Sequence, residues 1–396
     1  MTSRIYYTDP YCRRFEAVVT KTLEHDRRPA ALLDRTAFYP ASGGQPFDTG
    51  RLGEGDVVET IDADDEVVHV LSSPLAEGVT VRGEIDWDRR FDHMQQHTGQ
   101  HVLSAAFDRL FENRTTSFHM GAETATIDLA REMPWEQIAR AEEDANRVVW
   151  DDREVSIRFV SVKEAAALPL RKEPAREGTL RLIEVTDFDL SACGGTHVAR
   201  TGAIGAIVVA GAEKFKGGTR ITFACGGRAL RVFRTLRESV AGSVRALSVL
   251  PQELPAAIER MQAEAKDLRR TIKRFQETLA GHEAARLAAA APAIDGVRVV
   301  VEALDGWDAN GLKAIASAIT AGTRTAVALF STTSPVAVVI ARSADVAVDA
   351  NVVLRALTGR FGGRGGGKPD LAQGGGLAGN TVEITQAARV FLSNPS

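Results

Sequence analysis

The chain has 396 residues, 44% hydrophobic and 25% charged, which suits soluble globular protein in two to four domains. No stretch approaches a membrane span, the start "MTSRIYYTDPYCRRFEA" lacks the apolar core of a signal peptide, and Cys12, Cys193 and Cys225 make no disulfide framework, so a cytoplasmic protein is expected. The net charge of −4 does not exclude a nucleic-acid partner: 13 acids face 4 bases between Asp48 and Asp92, while 8 bases face 4 acids from Gly311 onward.

Residues 1–89 alternate in short apolar runs ("FEAVVTKTL", "AALLDRTAFYP", "DVVETI", "EVVHVL", "VTVRGEI") punctuated by Gly, Asp and Pro, the signature of a small β-barrel or sandwich, of which the barrel is the expectation. Residues 90–227 read as an α+β domain. It opens with a helix from Arg90 to Phe111, followed by strands at "TATIDLA" and "VSIRFVS" and helices at "PWEQIARAEEDANRVVWDD" and "SVKEAAALP". The segment "TLRLIEVTDFDLSACGGTHV" predicts a strand ending in a glycine-rich turn, and "GAIVVAGAEKFKGGTRITFACGG" predicts two more strands.

Residues 228–291 form a helical arm, broken near Pro251 and Pro255. In it Leu254, Ile258, Met261, Ala265, Leu268, Ile272, Phe275 and Leu279 step alternately by four and three, a coiled-coil-like heptad seam that needs a partner helix. The preceding helix, with Leu230, Phe233, Leu236 and Val240, could fold back on it; a second subunit could equally cover it, giving a homodimer. Residues 292–396 return to α/β: strand "VRVVVEAL", helix "ANGLKAIASAI", strands "TAVALFS" and "VAVVIAR", helix "ANVVLRALTGRF", then a glycine-dense loop and a short final helix. The fold class is therefore multidomain, α+β and α/β, with an N-terminal β-barrel.

The chemistry centres on "QHTGQH". His97 and His101 stand four apart, so on a helix they share one face about 6 Å apart and can grip one metal ion. In "SACGGTHV", Cys193 and His197 flank Gly-Gly-Thr, and a tight turn there can aim a thiolate and an imidazole at one centre. Each residue alone has a plainer explanation, such as a buried thiol or a core histidine. Two matched pairs together make a four-ligand set that favours one Zn²⁺ ion. His93, one turn before His97, ranks below these four and is expected to stack or hydrogen-bond nearby.

"HTGQHVLSAAF" with "CGGTHV" resembles the editing domain of alanyl-tRNA synthetases and the free-standing alanyl-tRNA editing proteins. "DRTAFYPASGGQPFDTG" resembles the same family's glycine-rich strand and turn, "TTSFHMG" its strand bordering the pocket, and "GGRGGGKPDLAQGGG" the signature of its C-terminal DHHA1-type domain. The resemblance implies a zinc-dependent hydrolase that deacylates tRNA(Ala) mischarged with serine or glycine. It implies no aminoacylation, because the chain begins almost at the barrel. Against that implied reaction, Thr36 and Gln45 are the candidates for meeting the substrate's extra hydroxyl. Gly43 and Gly44 suit close approach to the terminal adenosine, or simply a hairpin turn; Arg364 and Lys368 suit the sugar-phosphate of the tRNA, the other readings of their loop being a linker or a dimer contact. Four protein ligands would fill a tetrahedron, which keeps open a tRNA-binding protein with a purely structural zinc.

Overall fold

The computed structural model describes residues 1–171 and 178–393. These fall into two compact units, Met1–Ala246 and Leu247–Ser396.

In the first unit, strands Arg14–His25, Arg28–Leu33, Glu66–Leu71, Gly55–Ala63, Gly50–Leu52 and Thr80–Ile85 neighbour one another in that order and close into a barrel. Period-two alternation sends Phe15, Ala17, Val19, Val57, Leu71, Val81 and Ile85 inward to one core. Helix α1 (Trp87–Phe111) follows directly, its start set by Asp86, whose carboxylate accepts from the Arg89 amide at 3.2 Å. The helix thus begins three residues before the predicted Arg90. A buried ion pair anchors it to the barrel: Arg90 Nε donates to Asp48 Oδ2 at 3.0 Å and Nη1 to the Pro10 carbonyl at 2.8 Å. Removing either partner would strand a charge out of water, so this pair fixes where α1 leaves the barrel.

The α+β part packs α1 and α2 (Trp135–Trp150) against an antiparallel sheet ordered Ile207–Phe215, Gly218–Cys225, Ala125–Leu129, Thr115–Met120. A second sheet pairs Val155–Ser161, Thr179–Val185 and Asp189–Ala192. The segment expected to be one strand and a turn is a hairpin, reversed where Asp187 takes φ 57°, a conformation Asp tolerates. "SVKEAAALP" shrinks to α3 (Val162–Ala165): the Ser161–Glu164 capping box starts it, but so short a run before Pro169 cannot propagate. Helix α4 (Gly226–Leu247) leaves Leu230, Phe233, Leu236 and Val240 exposed.

In the second unit, α5 (Leu254–Ala290) buries Ala280, Ala284 and Leu287 against Val300, Leu312 and Ile315. Along the rest of α5 the seam residues Ile258, Met261, Leu268, Ile272, Phe275 and Leu279 are exposed. A six-stranded sheet runs Ala293–Ile294, Val297–Leu304, Thr325–Ser331, Val336–Arg342, Leu371–Leu377, Arg364–Gly367, with α6 (Ala309–Thr320), α7 (Ala350–Phe361) and α8 (Thr381–Ser393) packed on it. Its parallel pair is Val297–Leu304 with Thr325–Ser331. The predicted glycine-dense loop is instead a hairpin at the sheet edge, Arg364–Gly367 against Leu371–Leu377. Glycine's poor strand propensity hides it from sequence reading, yet glycine permits it: a Cβ on Gly365 would meet the Gln373 carbonyl at 2.6 Å.

Candidate metal centre

The ligand atoms of His97, His101, Cys193 and His197 all lie within 4.8 Å of one another, with the three histidines buried. Cys193 Sγ is 3.4 Å from Nε2 of both His97 and His197. Helix α1 supplies two rings from adjacent turns; the Ala192–Val198 turn supplies the other two ligands. Arg181 braces that turn, donating from Nη1 to the carbonyls of Cys193 (2.7 Å) and Gly195 (3.0 Å). Gly195 is a packing requirement, since a Cβ there would run into the His97 ring.

The outer hydrogen bonds fix the tautomer of each ring. The Asp189 carboxylate can only accept, so His101 Nδ1–H donates to it at 2.9 Å. Gln45 Oε1 accepts from the Thr196 amide at 3.1 Å while Nε2 donates to Thr196 Oγ1 at 2.8 Å; this orients the amide, and His97 Nδ1–H donates to Oε1 at 2.8 Å. Thr98 spends its one hydroxyl proton on the Met94 carbonyl at 2.8 Å, so its oxygen accepts from His197 Nδ1–H at 3.3 Å. Three imidazoles therefore present Nε2 to one point, each held by its other nitrogen, as metal-binding histidines are.

Charge follows the same logic. Burial opposes ionisation of Cys193, but His97 and His197 hold its thiol well below the ordinary range. Burial likewise works against a charged His101, and Asp189 overrides it, raising the ring to about 9. Burial lowers His197 to about 3, leaving it neutral. Without a metal His101 therefore carries a second proton; a bound divalent ion would take that proton's place, giving a thiolate with three imidazole nitrogens, a borderline-soft set suited to a metal such as zinc.

Beside the group lies a cavity of about 190 Å³ whose walls include Gly43, Gln100, Thr115, Ser117, Phe118 and Ser191. Gln100 is buried, its amide nitrogen donating to Ser104 Oγ at 2.9 Å. Of the residues expected to meet substrate, Gly43 lines this cavity, and Gly44, at φ 85°, presses against Phe118. Thr36 and Gln45 differ from expectation. Thr36 is fully buried in the barrel, with Oγ1 2.8 Å from His69 Nε2 and accepting from the Phe38 amide at 3.1 Å, and it does not line the cavity. The Gln45 amide is consumed by His97 and Thr196. Arg364 and Lys368 are exposed on the hairpin of the second unit. His93 lies outside the ligand group. Sequence reading missed Asp189 and Thr98, and gave Gly195 a role in the turn but not its close packing on the His97 ring. Each metal-binding imidazole needs an acceptor behind it, and that need singles out Asp189, four residues before Cys193, and Thr98, between the histidines.

Residues 180–222, which carry Asp189, Cys193 and His197, match the threonyl and alanyl tRNA synthetase second additional domain, and residues 296–394 match the DHHA1 domain. The alanyl-tRNA editing protein AlaX-L of Pyrococcus horikoshii is 32% identical over 388 residues, covering 94% of each chain. The chain belongs to the alanyl-tRNA editing protein family. Alanine–tRNA ligases of Pyrococcus abyssi (32% identical, 94% of this chain) and Methanoculleus marisnigri (34%, 96%) also match, and the editing chain spans 42% of the length of each. Among solved structures, the C-Ala domain of Aquifex aeolicus alanyl-tRNA synthetase matches at 24% identity and a TM-score of 0.25, covering 26% of this chain and 98% of that one. None of the described helices is long and apolar enough to cross a membrane.

Proposed function

We propose that this editing protein hydrolyses the ester of tRNA(Ala) mischarged with serine, and with glycine, at a Zn²⁺ ion held by His97, His101, Cys193 and His197, and that it does not aminoacylate. The observation that carries this reading is the convergence of three imidazole Nε2 atoms and a thiolate beside a small cavity that polar side chains such as Gln100, Thr115 and Ser191 help to line. Zinc, when bound, supplies a positive charge able to polarise the ester carbonyl. The chain's own residues do the rest. Asp189, Thr98 and Gln45 hold the rings in the ligating tautomer, so Gln45 acts behind His97 rather than on substrate. Thr36, expected at the substrate hydroxyl, supports the barrel through His69 instead.

Serine exceeds alanine by one hydroxyl, and a buried polar partner for it gives discrimination that an apolar wall cannot. Gln100 fits that role: Ser104 occupies its amide nitrogen and leaves its carbonyl oxygen to accept. Gly43 and Gly44 keep the rim thin enough for the terminal ribose. Arg364 and Lys368 supply charge for the sugar-phosphate, and a second copy of the chain covers the exposed seam of α5 as a homodimer. A reducing cytoplasm suits a thiolate ligand and three free cysteines.

The test is deacylation of Ser-tRNA(Ala) beside Ala-tRNA(Ala), with metal analysis of the same sample. Serine ester cleaved well above the alanine ester, with one zinc per chain, is the expected result. The four-ligand set also supports a second reading, a tRNA-binding protein whose zinc is structural. A sample with stoichiometric zinc that cleaves neither ester above the buffer rate would establish that reading.

A further inference from the structure

One turn before His97 on α1, about 6 Å along the axis, His93 helps to line a different cavity of about 410 Å³. His93 is 3% exposed, and its Nδ1 is buried without any hydrogen-bond partner among the described residues. A buried polar atom left unpaired is costly, and a bound water, ion or ligand group is what completes such bonding.

The same cavity is lined by Arg89, Arg228 and Arg231 against Asp88 and Asp92. Arg228 is neutralised, donating from Nε to both Asp92 oxygens (3.0 and 2.9 Å) and from Nη1 to the Gly121 carbonyl. The other two arginines have charge to spare. Arg89 donates only Nε, to the Phe47 carbonyl at 2.9 Å, and makes no ion pair among the described residues; Arg231 is 63% exposed and stands 3.8 Å from the already paired Asp92. Burial and then the arginines Arg89 and Arg228 push the His93 ring down to about 3, which keeps the imidazole neutral.

This second cavity adjoins the first through three shared elements. The turn 43–46 gives Gly43 to one and Pro46 to the other; the strand Thr115–Met120 gives Phe118 to one and Met120 to the other; α1 gives His97 and His93. The two cavities are thus built on the same three segments, a few residues or one helical turn apart.

We propose that this cavity binds a phosphodiester of the single-stranded RNA end that carries the ester, with Arg89 and Arg231 supplying charge and His93 a ring hydrogen bond. This rests on the proposed editing reaction for the identity of the strand, and is tested apart from it. The probe is a fluorescent, unacylated single-stranded oligoribonucleotide ending in CCA, titrated against the full chain from 50 to 200 mM salt. Losing the one phosphate contact should flatten the log–log salt slope by roughly 0.7, and Arg89→Gln with Arg231→Gln should weaken binding roughly tenfold at low salt. His93→Gln should weaken binding severalfold with the slope unchanged, because it removes no charge. Metal content equal to wild type checks that the fold survives.

On Ser-tRNA(Ala), the double variant should raise KM with kcat held, while a seryl ester of adenosine alone should be cleaved as by wild type. An unchanged slope and affinity in the double variant overturn this site, whether or not the protein is a hydrolase. An arginine-dependent slope in a protein that cleaves no ester sustains the site and removes the editing reaction. If inorganic phosphate protects the cavity in an arginine-dependent way but the oligoribonucleotide does not compete, the RNA assignment is lost.

Discussion

Gln45 provides the sharpest test of how the centre is built. Its amide accepts from His97 Nδ1 and the Thr196 amide and donates to Thr196 Oγ1, all in a buried environment. Gln45→Leu keeps the volume but leaves three polar groups unpaired. At about 1 kcal/mol or more per orphaned group, the fold should lose on the order of 3 kcal/mol. His97, freed to rotate or change tautomer, should cost the metal about 10- to 100-fold in affinity. Gln45→Glu retains an acceptor for His97 Nδ1–H and one for the Thr196 hydroxyl proton, so it should recover most of the affinity. The assay is competition with a chromophoric chelator alongside urea denaturation of each variant. Wild-type affinity in Gln45→Leu, or Gln45→Glu no better than Leu, would refute the claim that this amide sets the His97 tautomer.

Three further outcomes follow from the structure. His69 is buried and held neutral, its pKa lowered by burial from 6.5 to about 4. The unfolded chain therefore takes up that proton first, and stability falls as pH drops from 6.5 toward 4, by about 2 kcal/mol between pH 7 and 5 from this group; His69→Gln should flatten that part of the profile, and a variant with the wild-type slope would contradict it. Gly195→Ala should displace His97, cost roughly 1–3 kcal/mol and lower metal content, measured by thermal melts and metal analysis; full occupancy would show that the turn can yield. Leu268→Asp, at a 64% exposed seam position, should shift stability of the single chain by less than about 0.5 kcal/mol yet abolish self-association in sedimentation, and wild type sedimenting as a monomer at all concentrations would end the homodimer reading.

The elements that carry strong periodicity are legible in the sequence itself. The barrel strand Thr80–Ile85 alternates cleanly, α5 shows heptad spacing, and the strands Thr325–Ser331 and Val336–Arg342 are mostly apolar runs. The Arg364–Leu377 hairpin is not legible, because glycine has no side chain to report a face. The paired spacings of His97 with His101 and of Cys193 with His197 also stand out, since metal ligands must be close in space and two short loops of chain already bring them close.

The sequence alone therefore settles which residue types can ligate and on which local elements they sit, because helix and turn geometry act over a few residues. Only the tertiary structure decides that the two pairs meet, that Asp189 and Gln45 stand behind the rings, that Thr36 is turned to His69, and that His93 helps to line a second cavity. These depend on contacts between residues 33 to 151 apart, and no local spacing encodes them.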